Sequence, residues 1–364
     1  MPAAPSTIPD FSRAPFAGAP DAHFAPLPSD GVLPEGFFST SNLPTYIKVD
    51  GKWLAPIRPR MDCVVVKRGD TIESIEPRRL PKGALIAMGE AEDGSEGIVV
   101  HAQGFLGGTH GANEFRFMST EVSRERPVNY EELAARVGEE KRRGGYLIWV
   151  VGPALVHSRA RADFEWFVRN GYVQAVLAGN AVAVHDIEAA IFGTTLGMTN
   201  TGRPTEGGHG LHMRAINRVR AAGSIGRAVE TGLITTGIMH ALETQRIPYV
   251  LAGSIRDDGP LPGVFSDTLE AQDAMREHTV KATGAIFVAT ALHAIAVGNM
   301  LPAFYLDAAG APAPLMTICV DQTEFVVNKL KDRGTHQAYG VVTNAQDFMH
   351  VFRFYCEQWD QASA

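Results

Sequence analysis

Two apolar runs, YLIWVV at residues 146–151 and VQAVL at residues 173–177, decide the fold of this 364-residue chain. Each run is short and unbroken, which is typical of a strand buried on both faces of a parallel sheet. Strand alternating with helix predicts an α/β fold with a doubly wound, mostly parallel Rossmann-like sheet. Four similar runs follow, at residues 248–251, 285–289, 315–320 and 339–343. Helices are predicted at residues 186–192, 211–222, 224–244, 267–282, 323–332 and 345–359.

A small, mostly β domain is predicted ahead of this sheet. The runs YIKV, MDCVVV, ALIAMG and GIVVHA are separated by turn signals such as Asp50-Gly51 and Asp93-Gly94. The residues before them are rich in Pro and Ala, a composition that predicts a flexible leader. We therefore expect a leader at residues 1–30, a β-rich domain at 31–125 and an α/β domain at 126–364.

Composition and charge favour a small-molecule ligand. The chain has 33 Lys and Arg residues against 40 Asp and Glu residues, a net charge of −7, so neither nucleic acid nor an anionic membrane is an expected partner. Residues 283–306 carry no charged side chain of Asp, Glu, Lys or Arg. Thr290, His293, Asn299 and Pro302 interrupt this stretch, which we interpret as a buried strand running into a buried helix.

Cysteine and histidine usage points away from disulfides and metals. Cys63, Cys319 and Cys356 are odd in number and far apart, which favours a reducing compartment, and the N-terminal residues lack the pattern of a signal peptide. We therefore expect a cytoplasmic protein. His209 and His212 are three residues apart, yet no third ligand accompanies them, so no metal site is predicted.

Small and polar residues follow nearly every predicted strand. In an open parallel sheet, ligands bind beyond the carboxyl ends of the strands, so these residues are expected to meet at one edge. Many of them also suit strand ends and helix N-caps, a structural role compatible with a ligand site. They are Asn180, Arg256, Asp257, Asp258, Thr290, His293, Asp321 and Asn344.

The loop Arg256-Asp257-Asp258 is the most distinctive of these features. Its guanidinium could bind a substrate carboxylate, and an aspartate could bind an amine or a ribose hydroxyl. A solvated surface turn is the alternative. A nicotinamide cofactor fits such an edge, but the G-x-G-x-x-G fingerprint does not follow the first two strands, which continue as GPALVH and AGNAVAVHD.

Several long motifs resemble one family. They are FFSTSNLPTYIKVDGKW, RPRMDCVVV, FRFMSTEVSRERP, VVGPALVHS, LAGNAVAVHDIEAAIFGTTLG, AGSIRDDGPLPGV, VATALHAIAVGNMLPA and THQAYGVVTNAQDF. Together these motifs resemble the archaeal-type ornithine cyclodeaminases, which are also fused behind arginine dihydrolase modules. The N-terminal block resembles a region shared with lysine-ketoglutarate reductase/saccharopine dehydrogenases.

The resemblance implies NAD as cofactor and the conversion of L-ornithine to L-proline and ammonia by transient hydride transfer, without net redox change. The substrate is thus a small amino acid, and we expect a homo-oligomer. The family's cofactor contacts, carried over to this chain, are Asn180, Ala181, Asp258, Thr290, Ala291, Leu292, His293, Asp321 and Asn344.

Candidate catalytic residues are assigned by the chemistry that the reaction requires. Arg256 is assigned to the substrate carboxylate, with Arg116 as reserve. Asp257 is the first candidate for the base that takes the proton of the α-amine, and Asp62 is the second. Ser39 and Asn42, in the β-rich domain, are assigned to substrate binding together with Arg116.

Two other functions stay open at this point. One is an NAD-dependent dehydrogenase or imine reductase that acts on another amino acid and releases NADH. The other is a non-catalytic protein that senses NAD or an amino acid, since a fold does not fix a function.

Overall fold

The structure, a computed structural model, describes residues 8–101, 128–199, 201–255, 257, 259–307, 310–324, 326, 328 and 338–363. The chain divides into two compact units. We call the first the β unit; it contains the described residues up to 101 and the segment Asn299–Leu315. We call the second the sheet unit; it contains the other described residues, from 128 onward.

The β unit is built from antiparallel strands. Val65 packs in one hydrophobic cluster with Ile47 and Ile98, whereas its neighbours Val64 and Val66 pack in another. Because successive side chains of a strand point to opposite faces, both faces of this sheet are covered. The strands are β1 (His23–Pro26), β2 (Thr45–Val49), β3 (Lys52–Leu54), β4 (Val64–Arg68), β5 (Thr71–Ile75), β6 (Leu85–Met88) and β7 (Ile98–Val100), in sheets of order β1-β6-β4-β5 and β3-β2-β7.

Residues 8–30 differ from the flexible leader that composition predicted. Strand β1 pairs antiparallel with β6, and Leu27 is buried in the core. The ring of Phe11 stacks on that of Trp53 with centroids 5.0 Å apart. Aromatic and apolar residues spaced through the Pro- and Ala-rich stretch bury enough surface to order it, a feature that average composition conceals.

The sheet unit contains six parallel strands in the order β12-β9-β8-β13-β16-β17, with all five residues of β8 and all five of β13 buried. Counted along the chain within the sheet, this is the 3-2-1-4-5-6 order of the Rossmann fold, and the predicted fold class is confirmed. The strands are β8 (Leu147–Val151), β9 (Ala175–Gly179), β12 (Tyr249–Ala252), β13 (Gly284–Val288), β16 (Met316–Asp321) and β17 (Ala338–Val342), with a hairpin of β10 (Thr194–Thr195) and β11 (Met198–Thr199).

Helices pack around this sheet on a core that includes Trp149, Phe164, Phe167 and Phe352. Several begin at side-chain caps; Asp267, for example, accepts hydrogen bonds from the amides of Leu269 and Glu270. The helices are α1 (Tyr130–Arg142), α2 (Ala154–His157), α3 (Arg161–Arg169), α4 (Asn180–Phe192), α5 (Leu211–Ala222), α6 (Ile225–Glu230), α7 (Ile238–Gln245), α8 (Thr268–Thr279), α9 (Ala291–Met300) and α10 (Ala345–Ser363).

The single helix predicted for residues 224–244 is wrong, because the structure breaks it into α6 and α7. Gly232 and Gly237 lie between the two with φ of +74° and +106°, conformations that interrupt a helix and that glycine adopts readily. Ser224 caps α6, as its side chain accepts from the amide of Arg227. The helix predicted for residues 323–332 lies mostly outside the described residues.

The segment Asn299–Leu315 groups with the β unit. Within it, β14 (Phe304–Leu306) pairs with β15 (Pro312–Pro314), and the amide of Ala303 donates to the carbonyl oxygen of Asn42 at 3.0 Å. This grouping differs from the continuous α/β domain of residues 126–364 that the sequence suggested. Among the described helices, none has the length and apolar character needed to cross a membrane.

Candidate functional site

The switch point of the sheet lies between β8 and β13. The strand that follows β8 along the chain, β9, lies on one side of this point, and the strand of the sheet that follows β13, β16, lies on the other. Gly152 follows β8, and Ala289 follows β13 with φ of +54°. A Cβ atom added to Gly152 would lie 1.9 Å from the carbonyl oxygen of Ala289. Only glycine allows this approach of the two backbones, so the first strand-to-helix turn is fixed at this point.

A cleft of about 200 Å³ opens beside this turn, at the carboxyl ends of β13, β16 and β17. Asp321, the last residue of β16, holds the loop that follows, because its Oδ1 accepts from the amide and the hydroxyl of Thr323, both at 2.9 Å. The hydroxyl oxygen of Ser158 is buried and has no hydrogen-bond partner in the described part of the chain. Residues lining the cleft include Ala154, Ser158, Ala289, Asp321, Thr323 and Thr343.

Asn180 connects the end of β9 to the loop after β12. It is the first residue of α4 and is only 3% exposed. Its Oδ1 accepts a hydrogen bond from the amide of Leu261 at 3.1 Å. In the same loop, Asp257 Oδ2 accepts from the amide of Ser254 at 2.7 Å, which holds this carboxylate in place.

His293 lies across the end of β9. Its Cε1 would be 2.8 Å from a Cβ added to Gly179, and its Nδ1 is 3.5 Å from the hydroxyl of Thr290. Burial lowers the pKa of His293, and the nearby carboxylate of Asp257 opposes that shift. The imidazole is therefore neutral at physiological pH and can exchange hydrogen bonds without adding a positive charge.

These contacts form a continuous series along the carboxyl edge of the sheet. Gly179 touches His293, His293 approaches Thr290, and Thr290 is adjacent to Ala289, which lines the cleft with Asp321. The ends of β9, β13 and β16 thus meet as the topology predicted.

The remaining predicted cofactor contacts lie at helix starts on the same edge. Asn344 caps α10: its Oδ1 accepts from the amide of Asp347 at 2.8 Å, and its Nδ2 donates to that carboxylate at 2.6 Å. Ala181 is the second residue of α4, and Ala291 and Leu292 open α9, where Leu292 is 71% exposed. Arg256, Asp258 and Arg116 lie outside the described residues.

The candidate residues of the β unit lie in one region of that unit. Ser39 is exposed and forms a backbone bridge with Val64. Asn42 is 7% exposed. Asp62 is exposed with φ of +58°, and its amide donates to the carbonyl oxygen of Thr40 at 3.0 Å. A side chain held in this left-handed conformation is uncommon and is found more often at functional positions.

Sequence reasoning missed the hydroxyl groups of the cleft. Ser158 and Thr343 line it, yet neither was singled out. Thr343 directly follows the last strand, so the expectation that ligands bind beyond strand ends could have found it, whereas the short helix α2 lies between the end of β8 and Ser158. Within the described ranges, no group of three His, Cys, Asp or Glu side chains is placed to bind a metal.

A parallel sheet of this order, with a glycine at its switch point and polar residues at its carboxyl edge, defines a Rossmann-fold protein of the dinucleotide-binding type. Two family models match the chain: arginine dihydrolase ArgZ-like, C-terminal, Rossmann fold, over residues 131–352, and the corresponding first region over residues 44–131. The chain belongs to this ArgZ-like family, and its resemblance to the archaeal-type ornithine cyclodeaminases is confirmed.

Several curated relatives of this chain are named ornithine cyclodeaminases. The ornithine cyclodeaminase of Methanopyrus kandleri is 42% identical over 90% of this chain and 77% of that protein, and the one of Archaeoglobus fulgidus is 41% identical over 90% and 77%. The bifunctional arginine dihydrolase/ornithine cyclodeaminase AgrE of Nostoc sp. is 36% identical over 91% of this chain and 46% of its own length.

Solved structures agree with the fold. A conserved LOR/SDH protein from Methanococcus maripaludis S2 has a TM-score of 0.84 and 38% identity, over 94% of this chain and 99% of that one. The ternary complex of AgrE with ornithine and NAD⁺ has a TM-score of 0.60 and 32% identity, over 94% of this chain and 47% of AgrE.

Proposed function

We propose that this chain is an NAD-dependent ornithine cyclodeaminase, a cyclising ammonia-lyase that converts L-ornithine to L-proline and ammonia. The observation that carries the proposal is the series of polar contacts at the switch point, in a chain that matches ornithine cyclodeaminases over 90% of its length. The AgrE complex supports the same pair of ligands, since it holds ornithine and NAD⁺.

The residues at this edge fit a dinucleotide. The turn after β8 brings the backbones of Gly152 and Ala289 together beside the cleft, and the buried Ser158 hydroxyl, which lines that cleft, offers a donor that no described residue uses. The carboxylate of Asp321 suits the hydroxyls of a ribose. We assign cofactor contacts to Asn180, Ala181, Asp258, Thr290, Ala291, Leu292, His293, Asp321 and Asn344.

NAD, when bound, supplies reversible hydride transfer, so the protein's own task is to position the substrate and to manage protons. We assign Arg256 to the substrate carboxylate, with Arg116 as the alternative. Asp257 is the proposed base, because its carboxylate is fixed by the Ser254 amide and lies near His293. Asp62 is the second candidate, and Ser39 and Asn42 are proposed to contact substrate.

We also propose a cytoplasmic homo-oligomer that acts in proline biosynthesis. All three cysteines are free and buried, which suits a reducing compartment.

The test is to incubate the purified protein with L-ornithine and a catalytic amount of NAD⁺, and to measure proline, ammonia and NADH. We expect equal amounts of proline and ammonia, well in excess of NAD⁺, with no lasting NADH. L-Arginine and L-lysine serve as control substrates. Stoichiometric NADH would identify a net dehydrogenase instead, and ligand binding without any product would identify a sensor.

A further inference from the structure

A second cavity, of about 240 Å³, lies in the sheet unit apart from the cleft beside Asp321. The short helix α2 and the residues after it separate the two spaces. Ala154 and Ser158 line the cleft, whereas Val156, His157 and Arg159 line the cavity. The two share no lining residue, and none of the residues assigned above to NAD or to ornithine lines the second cavity.

Two residues of this cavity have strained backbones. Arg159 and Leu196 have φ of +70° and +50°, a region that side chains other than glycine rarely adopt. They belong to different segments, the end of α2 and the turn between β10 and β11, yet both line the same space. Strain of this kind persists where surrounding structure enforces it, and it clusters at ligand-binding positions.

A buried carboxylate enforces the shape of the β10–β11 turn. Glu188, on α4, is fully buried and accepts hydrogen bonds from the Thr194 hydroxyl and from the amides of Leu196 and Gly197, at 2.9 to 3.0 Å. A Cβ added to Gly197 would lie 2.4 Å from the backbone of Gly208. The turn is therefore held from both sides, which gives the cavity a fixed wall.

The polar groups of the cavity are complementary to a zwitterion. Arg159 is exposed and has no ion-pair partner among the residues that the structure describes. Thr195, which carries a hydroxyl, lines the same cavity. The ring of His157 lies beside that of His185, with centroids 4.5 Å apart and the ring planes tilted by 57°. Burial and, to a lesser extent, the neighbouring His185 lower the pKa of His157 to about 4. The imidazole of His157 is therefore neutral and can accept a hydrogen bond.

We propose that this cavity is a binding site for a free α-amino acid, separate from the residues assigned to catalysis. Arg159 and Thr195 bind the carboxylate, His157 accepts a hydrogen bond from the ammonium group, and Leu196 and Met198 cover the side chain. The ligand is either the substrate itself or another amino acid that acts as an effector.

Isothermal titration calorimetry on the full chain without NAD⁺ tests this site, with L-ornithine, L-arginine, L-lysine and L-proline as titrants. We expect at least one of them to bind, and Arg159→Gln and Thr195→Val each to weaken that binding by about tenfold or more. Arg227→Gln, which changes an exposed arginine on α6 away from the cavity, is the matched control and leaves binding unchanged.

Absence of binding by all four titrants, or binding of equal strength to wild type and Arg159→Gln, would overturn the proposal. The source follows from the kinetics of Arg159→Gln: a changed dependence of the rate on ornithine concentration indicates that ornithine itself occupies the site, and a changed response to a second amino acid indicates a separate effector. Because the titration needs no turnover, its failure is distinct from failure of the proposed reaction.

Discussion

At the scale of single residues, the position of His293 depends on the absence of a side chain at Gly179. The imidazole occupies the space where a Cβ would be, 2.8 Å from Cε1. Sequence reasoning selected His293 and Thr290 because they follow a predicted strand. It could not select Gly179 for this reason, because the contact joins residues more than a hundred positions apart along the chain.

We expect Gly179→Ala to displace His293 and to raise the KM for NAD⁺ by about tenfold, with a loss of about 1–3 kcal/mol in the free energy of unfolding from overpacking. Steady-state kinetics and urea denaturation measure the two effects. Gly210→Ala is the control, because a Cβ there meets no atom within 4 Å and φ is −94°. Unchanged NAD⁺ kinetics in Gly179→Ala would show that His293 does not contact the cofactor.

Asp321 provides a second prediction at this scale. We expect Asp321→Asn to weaken NAD⁺ binding by about tenfold or more, because an amide binds a ribose diol less well than a carboxylate does. Fluorescence titration with NAD⁺ measures the effect.

Asp93→Asn is a close structural control for Asp321→Asn. Asp93 Oδ1 accepts from the amide and hydroxyl of Ser95, as Asp321 Oδ1 does from those of Thr323. Both changes keep an oxygen acceptor for the turn, so a weakening confined to Asp321→Asn reflects the site. Equal NAD⁺ affinity in both variants would remove Asp321 from the cofactor site.

At the scale of elements, the six strands were predictable within two residues, since each is a continuous apolar run. The helices were less predictable than the strands. Helices α1 and α3 were missed although both carry a helical pattern, since Leu133 and Val137 in α1, and Phe164, Phe167 and Val168 in α3, recur at helical spacing and are buried. The break between α6 and α7 depends on the positive φ of Gly237, where a Cβ would lie 1.9 Å from the Arg161 guanidinium. Tertiary packing of this kind does not appear in local sequence.

The β10–β11 hairpin is expected to depend on ionised Glu188. Burial raises the pKa of this carboxyl, but the adjacent His185 ring and the hydrogen bonds from Gly197, Thr194 and Leu196 outweigh burial and lower it overall. Because the pKa of Glu188 is lower in the folded state than its ordinary value of 4.5, the ionised carboxylate stabilises the protein at pH values above 4.5. This stabilisation is lost as the pH falls through the folded-state pKa.

We therefore expect Glu188→Gln to reduce the free energy of unfolding by about 1.5–3 kcal/mol near neutral pH. The difference from wild type should stay constant from neutral pH down to about pH 5 and shrink as the pH falls through 4.5 and the lower folded-state pKa. Urea denaturation at several pH values measures it, with Glu230→Gln as an exposed control. A difference that does not depend on pH would mean that the charge of Glu188 does not hold the turn.

At the scale of the whole molecule, the sequence correctly predicted a small, mostly β part and a Rossmann sheet. It did not predict that Asn299–Leu315 would group with the β unit, because that segment is held by pairings such as that of Ala303 with Asn42. The expectation that ligands bind beyond the carboxyl ends of the strands predicted the edge at which we propose the site. It could not identify the reaction, which depends on comparison with relatives.

Binding of NAD⁺ should stabilise the folded chain. At a concentration of about 100 times Kd, a ligand that binds only the native state adds about 2.7 kcal/mol to the free energy of unfolding. We expect a concentration-dependent rise in Tm with NAD⁺, and a smaller rise at the same NAD⁺ concentrations for Asp321→Asn. Absence of any rise up to millimolar NAD⁺ would contradict the cofactor assignment.

The most direct test of the account follows the hydrogen on Cα of ornithine. L-Ornithine labelled with deuterium at Cα is converted in ordinary water with catalytic NAD⁺, and the proline is analysed by mass spectrometry. Transient hydride transfer predicts proline that retains deuterium at its α-carbon, with no net change in NAD⁺. Proline that has exchanged the deuterium for solvent hydrogen, or deuterium that accumulates in NADH without proline, would contradict it.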